Sequence, residues 1–136
     1  MTTASERPAR TAGLRHVALF VTEFEQCLDF YTRLLGMEIE WQPDPENVYL
    51  TSGNDNLALH KAHVESADVG QRLDHIGFIL DTPEQVDEWH QFFVDNNVTI
   101  RNVPKTHRDG ARSFYCVDPD GVVVQMIYHP PISKGK

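Results

Sequence analysis

Long apolar runs are missing from this chain. The longest spans about five residues, Ile76 to Leu80, far short of the roughly 20 that a membrane-spanning helix needs. Basic charge is also scarce. Twelve Lys and Arg face twenty Asp and Glu, for a net charge of −8 with histidine neutral. Nucleic acid and anionic membrane surfaces both require a basic face, so neither is an expected partner. Cysteine is limited to Cys27 and Cys116, which fall in predicted apolar elements and share no motif spacing. Free buried thiols of a reducing, cytoplasmic setting are expected rather than a disulfide. Residues 1–13 lack the apolar stretch of a secretory signal and read as a disordered tail. No glycine-rich phosphate loop, serine-nucleophile motif or CxxC pair is present.

What the chain does have is a repeat. Leu14-Arg15-His16-Val17-Ala18-Leu19-Phe20-Val21 returns 59 positions later as Leu73-Asp74-His75-Ile76-Gly77-Phe78-Ile79-Leu80. Glu25-Gln26 falls on Glu84-Gln85, and Phe30 falls on Trp89. A unit of this size that occurs twice reads as a duplicated half-domain, and 136 residues suit one domain.

Each half has the same predicted order: strand, helix, strand, strand, strand. In the first half, 14–60, an apolar strand leads to Thr22-Glu23-Phe24-Glu25, which has the form of a capping box. The helix that follows carries Phe24, Leu28, Tyr31 and Leu35 on one stripe and ends at Gly36. Strands are expected over 37–41, 47–51 and 56–60, with a turn at Pro43-Asp44-Pro45. Residues 61–72 read as a linker. The second half, 73–128, has its own capping box at Thr82-Pro83-Glu84-Gln85 and a helix closed by Asn96-Asn97. Strands over 98–103, 111–117 and 122–128 follow, with a loop at 104–110 and the tight turn Asp118-Pro119-Asp120-Gly121. Residues 129–136 form a C-terminal tail.

Polar side chains stand out in these apolar strands. Alternation places His16 on one face with Ala18 and Phe20, and His75 on one face with Gly77. The small residues two positions after each histidine leave space there. The last strand of each half carries His60 or Gln125. A lone histidine on an apolar strand is more often a hydrogen-bonded core residue, but two at equivalent places need a common explanation. Buried imidazoles and an amide require partners, and a metal ion satisfies them together. Tyr49 and Tyr115 lie on inner strands and read either as lining a cavity, in contact with a substrate, or as simply filling it. His107, Arg108 and Arg112 flank the loop before the last hairpin. They read either as a solvated basic loop or as a clamp for an anionic group, since guanidinium pairs well with carboxylate or phosphate.

The element order, the repeated opening histidine and the Asp118-Pro119-Asp120-Gly121 turn resemble the vicinal oxygen chelate superfamily. That group includes glyoxalase I, bleomycin-resistance proteins and extradiol dioxygenases. The resemblance implies an α+β fold, two βαβββ modules forming an open, barrel-like mixed sheet around a cavity. It implies a homodimer with a small-molecule substrate. It also implies a divalent metal ion (zinc, nickel, cobalt or iron(II)) held by His16, His60, His75 and Gln125, with His60 as catalytic residue. The expected activity is of lyase or isomerase type, with Lewis-acid stabilisation of an enediolate-like anion. The alternatives are a metal-free ligand-sequestering protein of bleomycin-resistance type and an extradiol-type dioxygenase. The chain departs from its best-known relatives in one respect. Both last-strand positions are neutral, so neither the glyoxalase nor the dioxygenase carboxylate is present.

Overall fold

The computed structural model describes residues 14–63 and 73–133. Both proposed tails lie wholly or partly outside these residues, as does most of the 61–72 linker. The first module runs β1 (His16–Val21), α1 (Phe24–Asp29), β2 (Glu38–Asp44), β3 (Asn47–Thr51) and β4 (Asn56–Lys61). The second runs β5 (Ile76–Leu80), α2 (Pro83–Asp95), β6 (Thr99–Thr106), β7 (Arg112–Val117) and β8 (Val123–Tyr128). Each module folds into one four-stranded sheet, ordered β1-β4-β3-β2 and β5-β8-β7-β6. In both, the first and last strands pair in parallel and the others antiparallel. The fold class is therefore α+β with two mixed sheets, as the repeat predicts.

Several boundaries differ from the pattern-based reading. The first helix continues past Asp29 as a π-type turn over Phe30–Leu34, where the Leu35 N–H reaches the Phe30 carbonyl at 3.0 Å. Gly36 then ends it with φ 79°, a conformation glycine adopts without steric cost. Strand β2 runs through the expected turn at Pro43-Asp44, and two irregularities in its register with β3 absorb the proline. Strand β6 likewise takes in Pro104 to Thr106.

The second capping box forms as predicted. Thr82 Oγ1 accepts from the Gln85 N–H at 3.3 Å, and Gln85 Oε1 accepts from the N–H groups of Thr82 and Asp81. Replacing Thr82 by alanine should cost about 1 kcal/mol. Urea unfolding should show the lowered midpoint, and an unchanged midpoint would contradict it.

The first capping box does not form. Asp120, from the β7–β8 turn of the other module, caps α1 instead. Its Oδ1 accepts from the Thr22 N–H (2.8 Å), the Thr22 hydroxyl (2.6 Å) and the Glu23 N–H (2.8 Å). A carboxylate suits the positive end of a helix better than the local threonine does. Its neighbour Asp118 is buried and accepts from the Tyr31 hydroxyl at 2.8 Å. The two modules are thereby joined through one turn.

One apolar core serves both modules. Leu19, Val21, Val48, Leu50, Leu57 and Leu59 from the first sheet enter it with Phe93, Phe114, Val124 and Met126 from the second module. Phe30 lies 5.9 Å from Phe93 and Tyr31 lies 6.4 Å from Phe78, ring centre to ring centre, so the π-type turn after α1 packs against both α2 and β5. Cys27 and Cys116 are free thiols in this core. Burial pushes the Cys116 thiol up to about 12 and drives Cys27 well upward too, so both are inert fillers. The chain does not end loosely at Tyr128. Ser133 is buried; its hydroxyl donates to the Leu80 carbonyl at 2.7 Å and accepts from the His129 N–H at 2.8 Å, pinning residues 129–133 to the end of β5.

Candidate functional site

Strand alternation decides which side chains the helices cover. On β1, Leu19 and Val21 are buried while His16, Ala18 and Phe20 are exposed. On β5, Ile76, Phe78 and Leu80 join or pack against the core, so His75, Gly77 and Ile79 face the other way. His16 and His75 therefore both lie on faces that the helices leave open. Their strands border a common cleft of about 120 Å³, in which Leu14, Arg15 and Val17 meet Ile76, Gly77 and Phe78, although neither histidine itself lines it.

His75 stands in a compact group. Gln125 pairs in register with Gly77 and with Tyr115, and the His75 ring meets Tyr115 edge-on at 5.4 Å. The Gln125 amide oxygen lies over Gly77, 3.7 Å from where a Cβ would sit. The glycine thus makes room for the amide beside the imidazole. His75 Nδ1 lies 2.7 Å from Asp74 Oδ2. A carboxylate oxygen only accepts, so the neutral ring carries its hydrogen on Nδ1, and among the described residues the Nε2 lone pair has no hydrogen-bond partner. The pair is too exposed to add much stability, but it fixes the tautomer.

His16 reaches the same state by a longer route. Its Nδ1 lies 2.7 Å from Asn56 Oδ1, and Asn56 Nδ2 donates to Glu40 Oε1 at 2.9 Å. The Glu40 carboxylate must face the amide NH₂, which turns Oδ1 toward the imidazole. Neutral His16 therefore carries its hydrogen on Nδ1, and among the described residues its Nε2 has no hydrogen-bond partner either. Glu40, Asn56 and Asp74 were not among the expected site residues.

The register separates His60 from this set. His16 pairs with Asn56, whereas His60 pairs with Phe20, four residues further along β1, roughly 13 Å away. The position equivalent to Gln125 is Ala58, opposite Ala18, as Gln125 is opposite Gly77. His60 shares the open face but lies two residues beyond the expected place. Its Nδ1 is 2.7 Å from Asn47 Oδ1, and its ring packs near Phe20 and Tyr49.

The expected anion clamp is not assembled. Arg112 points to the helix side and makes a bidentate pair with Asp87 of α2, at 2.7 and 3.2 Å. This pairing raises the guanidinium's pKa and lowers that of Asp87. Arg108 is exposed at the tip of the β6–β7 hairpin. His107 Nε2 lies 3.3 Å from the Ser113 hydroxyl, on the Tyr115 face of β7. Tyr49 stacks on Trp41 at 5.2 Å.

Among the described residues, no three His, Cys, Asp or Glu side chains cluster as a ready metal cage. The donors the arrangement offers are two tautomer-fixed imidazoles and one amide oxygen. A cleft of about 630 Å³ lies elsewhere between the modules, lined by Glu25, Asp29, Phe30, Asn97 and Asp118 among others; one of about 690 Å³ borders Leu14, Arg15, Gly77 and Ile79, beside the two histidine strands.

A family model described as the Glyoxalase/Bleomycin resistance protein/Dioxygenase superfamily matches residues 13–126. The chain is 28% identical over 110 residues to the metallothiol transferase FosB of Staphylococcus saprophyticus, covering 80% of this chain and 72% of that protein. It is 25% identical over 116 residues to FosB of Staphylococcus epidermidis, covering 84% and 80%. The crystal structure of lactoylglutathione lyase from Agrobacterium tumefaciens aligns with a TM-score of 0.74 at 20% identity, covering 90% of this chain and 97% of that one. An integron cassette protein from the mobile metagenome of the Halifax Harbour sewage outfall aligns at 0.73 and 21% identity, covering 88% and 100%. These structural likenesses bear on the fold alone.

Proposed function

Since the chain belongs to the glyoxalase/bleomycin resistance protein/dioxygenase superfamily, we propose that it is a metal-dependent enzyme acting on a small oxygenated molecule. The observation that carries this reading is the shared state of His16 and His75. Each Nδ1 is held by an acceptor, and each Nε2 lone pair is left for a ligand. This is the outer-partner arrangement that orients imidazole ligands in metal sites. His16, His75 and Gln125 would hold the ion, with Glu40, Asn56 and Asp74 as their orienting partners. The similarity to proteins named metallothiol transferases supports the same chemistry. A bound zinc, nickel, cobalt or iron(II) ion would supply Lewis acidity toward adjacent substrate oxygens.

The chain's own residues set the proton chemistry. Neither Gln125 nor Ala58 can take a proton, so no carboxylate base stands at the ligand positions. His60 is the expected proton acceptor, and at roughly 13 Å along the sheet from His16 it would act on a part of the substrate remote from the ion. Exposed Ile79, Val103 and Ile132 are 46%, 67% and 61% accessible, apolar surface that a second copy would cover in a homodimer.

Zinc titration calorimetry tests the ligand set in both directions. Gln125→Glu adds a negative charge beside the ion and should tighten binding at least about tenfold. Glu40→Leu frees Asn56 to turn and should weaken binding about 10- to 100-fold. If both variants keep the wild-type affinity, the ligand set is wrong. If the wild-type protein binds no divalent metal, the metal-free sequestering reading takes its place.

A further inference from the structure

We propose that Phe20, Trp41, Tyr49 and His60 form a subsite for a planar aromatic ring bearing a hydroxyl group, read by His60 Nε2. The proposal deepens the reading above by naming a substrate class, and it rests on that reading for its place in the reaction.

Asp44 orients the group. Its carboxylate accepts from the Glu46 N–H at 2.8 Å and from Asn47 Nδ2 at 2.9 and 3.1 Å. That turns the Asn47 amide so that Oδ1 faces His60 Nδ1, 2.7 Å away. The relay Asp44–Asn47–His60 repeats the logic of Glu40–Asn56–His16 with different residues. Neutral His60 must carry its hydrogen on Nδ1 and present a lone pair at Nε2. Among the described residues nothing donates to that nitrogen.

Two aromatic rings flank the His60 ring. Phe20 lies 5.9 Å from the His60 ring, and Tyr49 meets it edge-on at 5.9 Å. Trp41 stacks on Tyr49 with only 19° between the planes. Yet Phe20 is 74% and Trp41 58% exposed. An oriented acceptor beside open aromatic faces matches a ligand with one donor and one ring. A sugar would need several polar partners, and Asn47 and Asp44 are already engaged with each other. A dry interface with another chain would strand the Nε2 lone pair that the relay has oriented. The distance of roughly 13 Å along the sheet from His16 leaves this group at the far end of a substrate whose oxygens reach the metal ligands.

The test uses phenol and anisole, which share a ring but differ in the donor. A Trp89→Phe background makes Trp41 the only indole reporter, and a chelator keeps the protein metal-free. Phenol should quench Trp41 and shift the His60 Nε2 resonance in nitrogen-15 spectra. Anisole should bind about tenfold more weakly. His60→Ala should erase the difference between the two ligands. The result should persist in His75→Ala, so failure of the metal reading is separable from failure here. The proposal is overturned if anisole binds as well as phenol, or if the preference survives His60→Ala. It is also overturned if phenol at its solubility limit moves neither signal. The resonance shift is read in protein with His60 intact, so it holds even where His60→Ala fails to fold.

Discussion

Substituting His75 with alanine is expected to abolish the rise in melting temperature that a divalent ion gives the wild-type protein. An ion that binds only the folded chain at 100 times its Kd stabilises by about 2.7 kcal/mol. For a domain of this size that is roughly 8–13 °C. His16→Ala should have the same effect, since the two imidazoles act as one donor set. His60→Ala should leave the metal-linked shift intact, because the register places it opposite Phe20 and not opposite His16. His75 is only half-buried, and its ring contact is with Tyr115, so the variant should fold. Scanning calorimetry with zinc, and again with a chelator, measures all three. A shift that survives His75→Ala, or one lost in His60→Ala but kept in His16→Ala, would refute the assignment.

That contrast between His60 and His16 shows where sequence reasoning succeeds and where it stops. The duplicated opening strand gave both histidines, the uncovered face that each takes on its own sheet, and the order of elements, because a repeat needs no knowledge of distant contacts. Period-two alternation also put His60 on the correct face. It did not give its position along the strand, because the register of a parallel pair is set by the intervening crossover. The offset of two residues keeps the face and changes the neighbour. Arg112 is different. It lies three residues before Tyr115, so alternation alone places it on the helix side, where Asp87 pairs with it. The carboxamide relays were hidden for another reason. Glu40 and Asp44 lie on β2, whose register shifts twice against β3, and such irregularities redirect side chains in ways a repeat pattern does not encode. The Thr22 capping box failed because its competitor, Asp120, is 98 residues away in sequence.

Asp120 has a buried neighbour, and Asp118→Ala is expected to cost about 3–5 kcal/mol, or roughly 10–20 °C in melting temperature. The Asp118 carboxylate accepts from the Tyr31 hydroxyl at 2.8 Å and from the N–H groups of Asp120 and Val122 at 2.8 and 2.9 Å. Alanine leaves all three donors without an acceptor, two of them in the turn that caps α1. Tyr31 is fully buried, and burial raises its own pKa well above the usual phenol value, so it remains a donor. Burial likewise raises the Asp118 pKa above 3.8, outweighing the hydrogen bonds that lower it. The folded state therefore holds this proton more tightly than the unfolded chain does. The resulting stabilisation is complete below the unfolded pKa and is lost as pH rises through the folded one. Asparagine at 118 does not titrate. It keeps an oxygen for the two backbone donors and offers an N–H to the Tyr31 oxygen. Asp118→Asn should thus be milder than Asp118→Ala, and its stability relative to wild type should climb as pH rises above about 4. Urea unfolding of the two variants and the parent across the acid to neutral range reads both effects. A relative stability of Asp118→Asn that stays flat or falls with pH would show that the hydrogen bonds, and not burial, control this carboxylate.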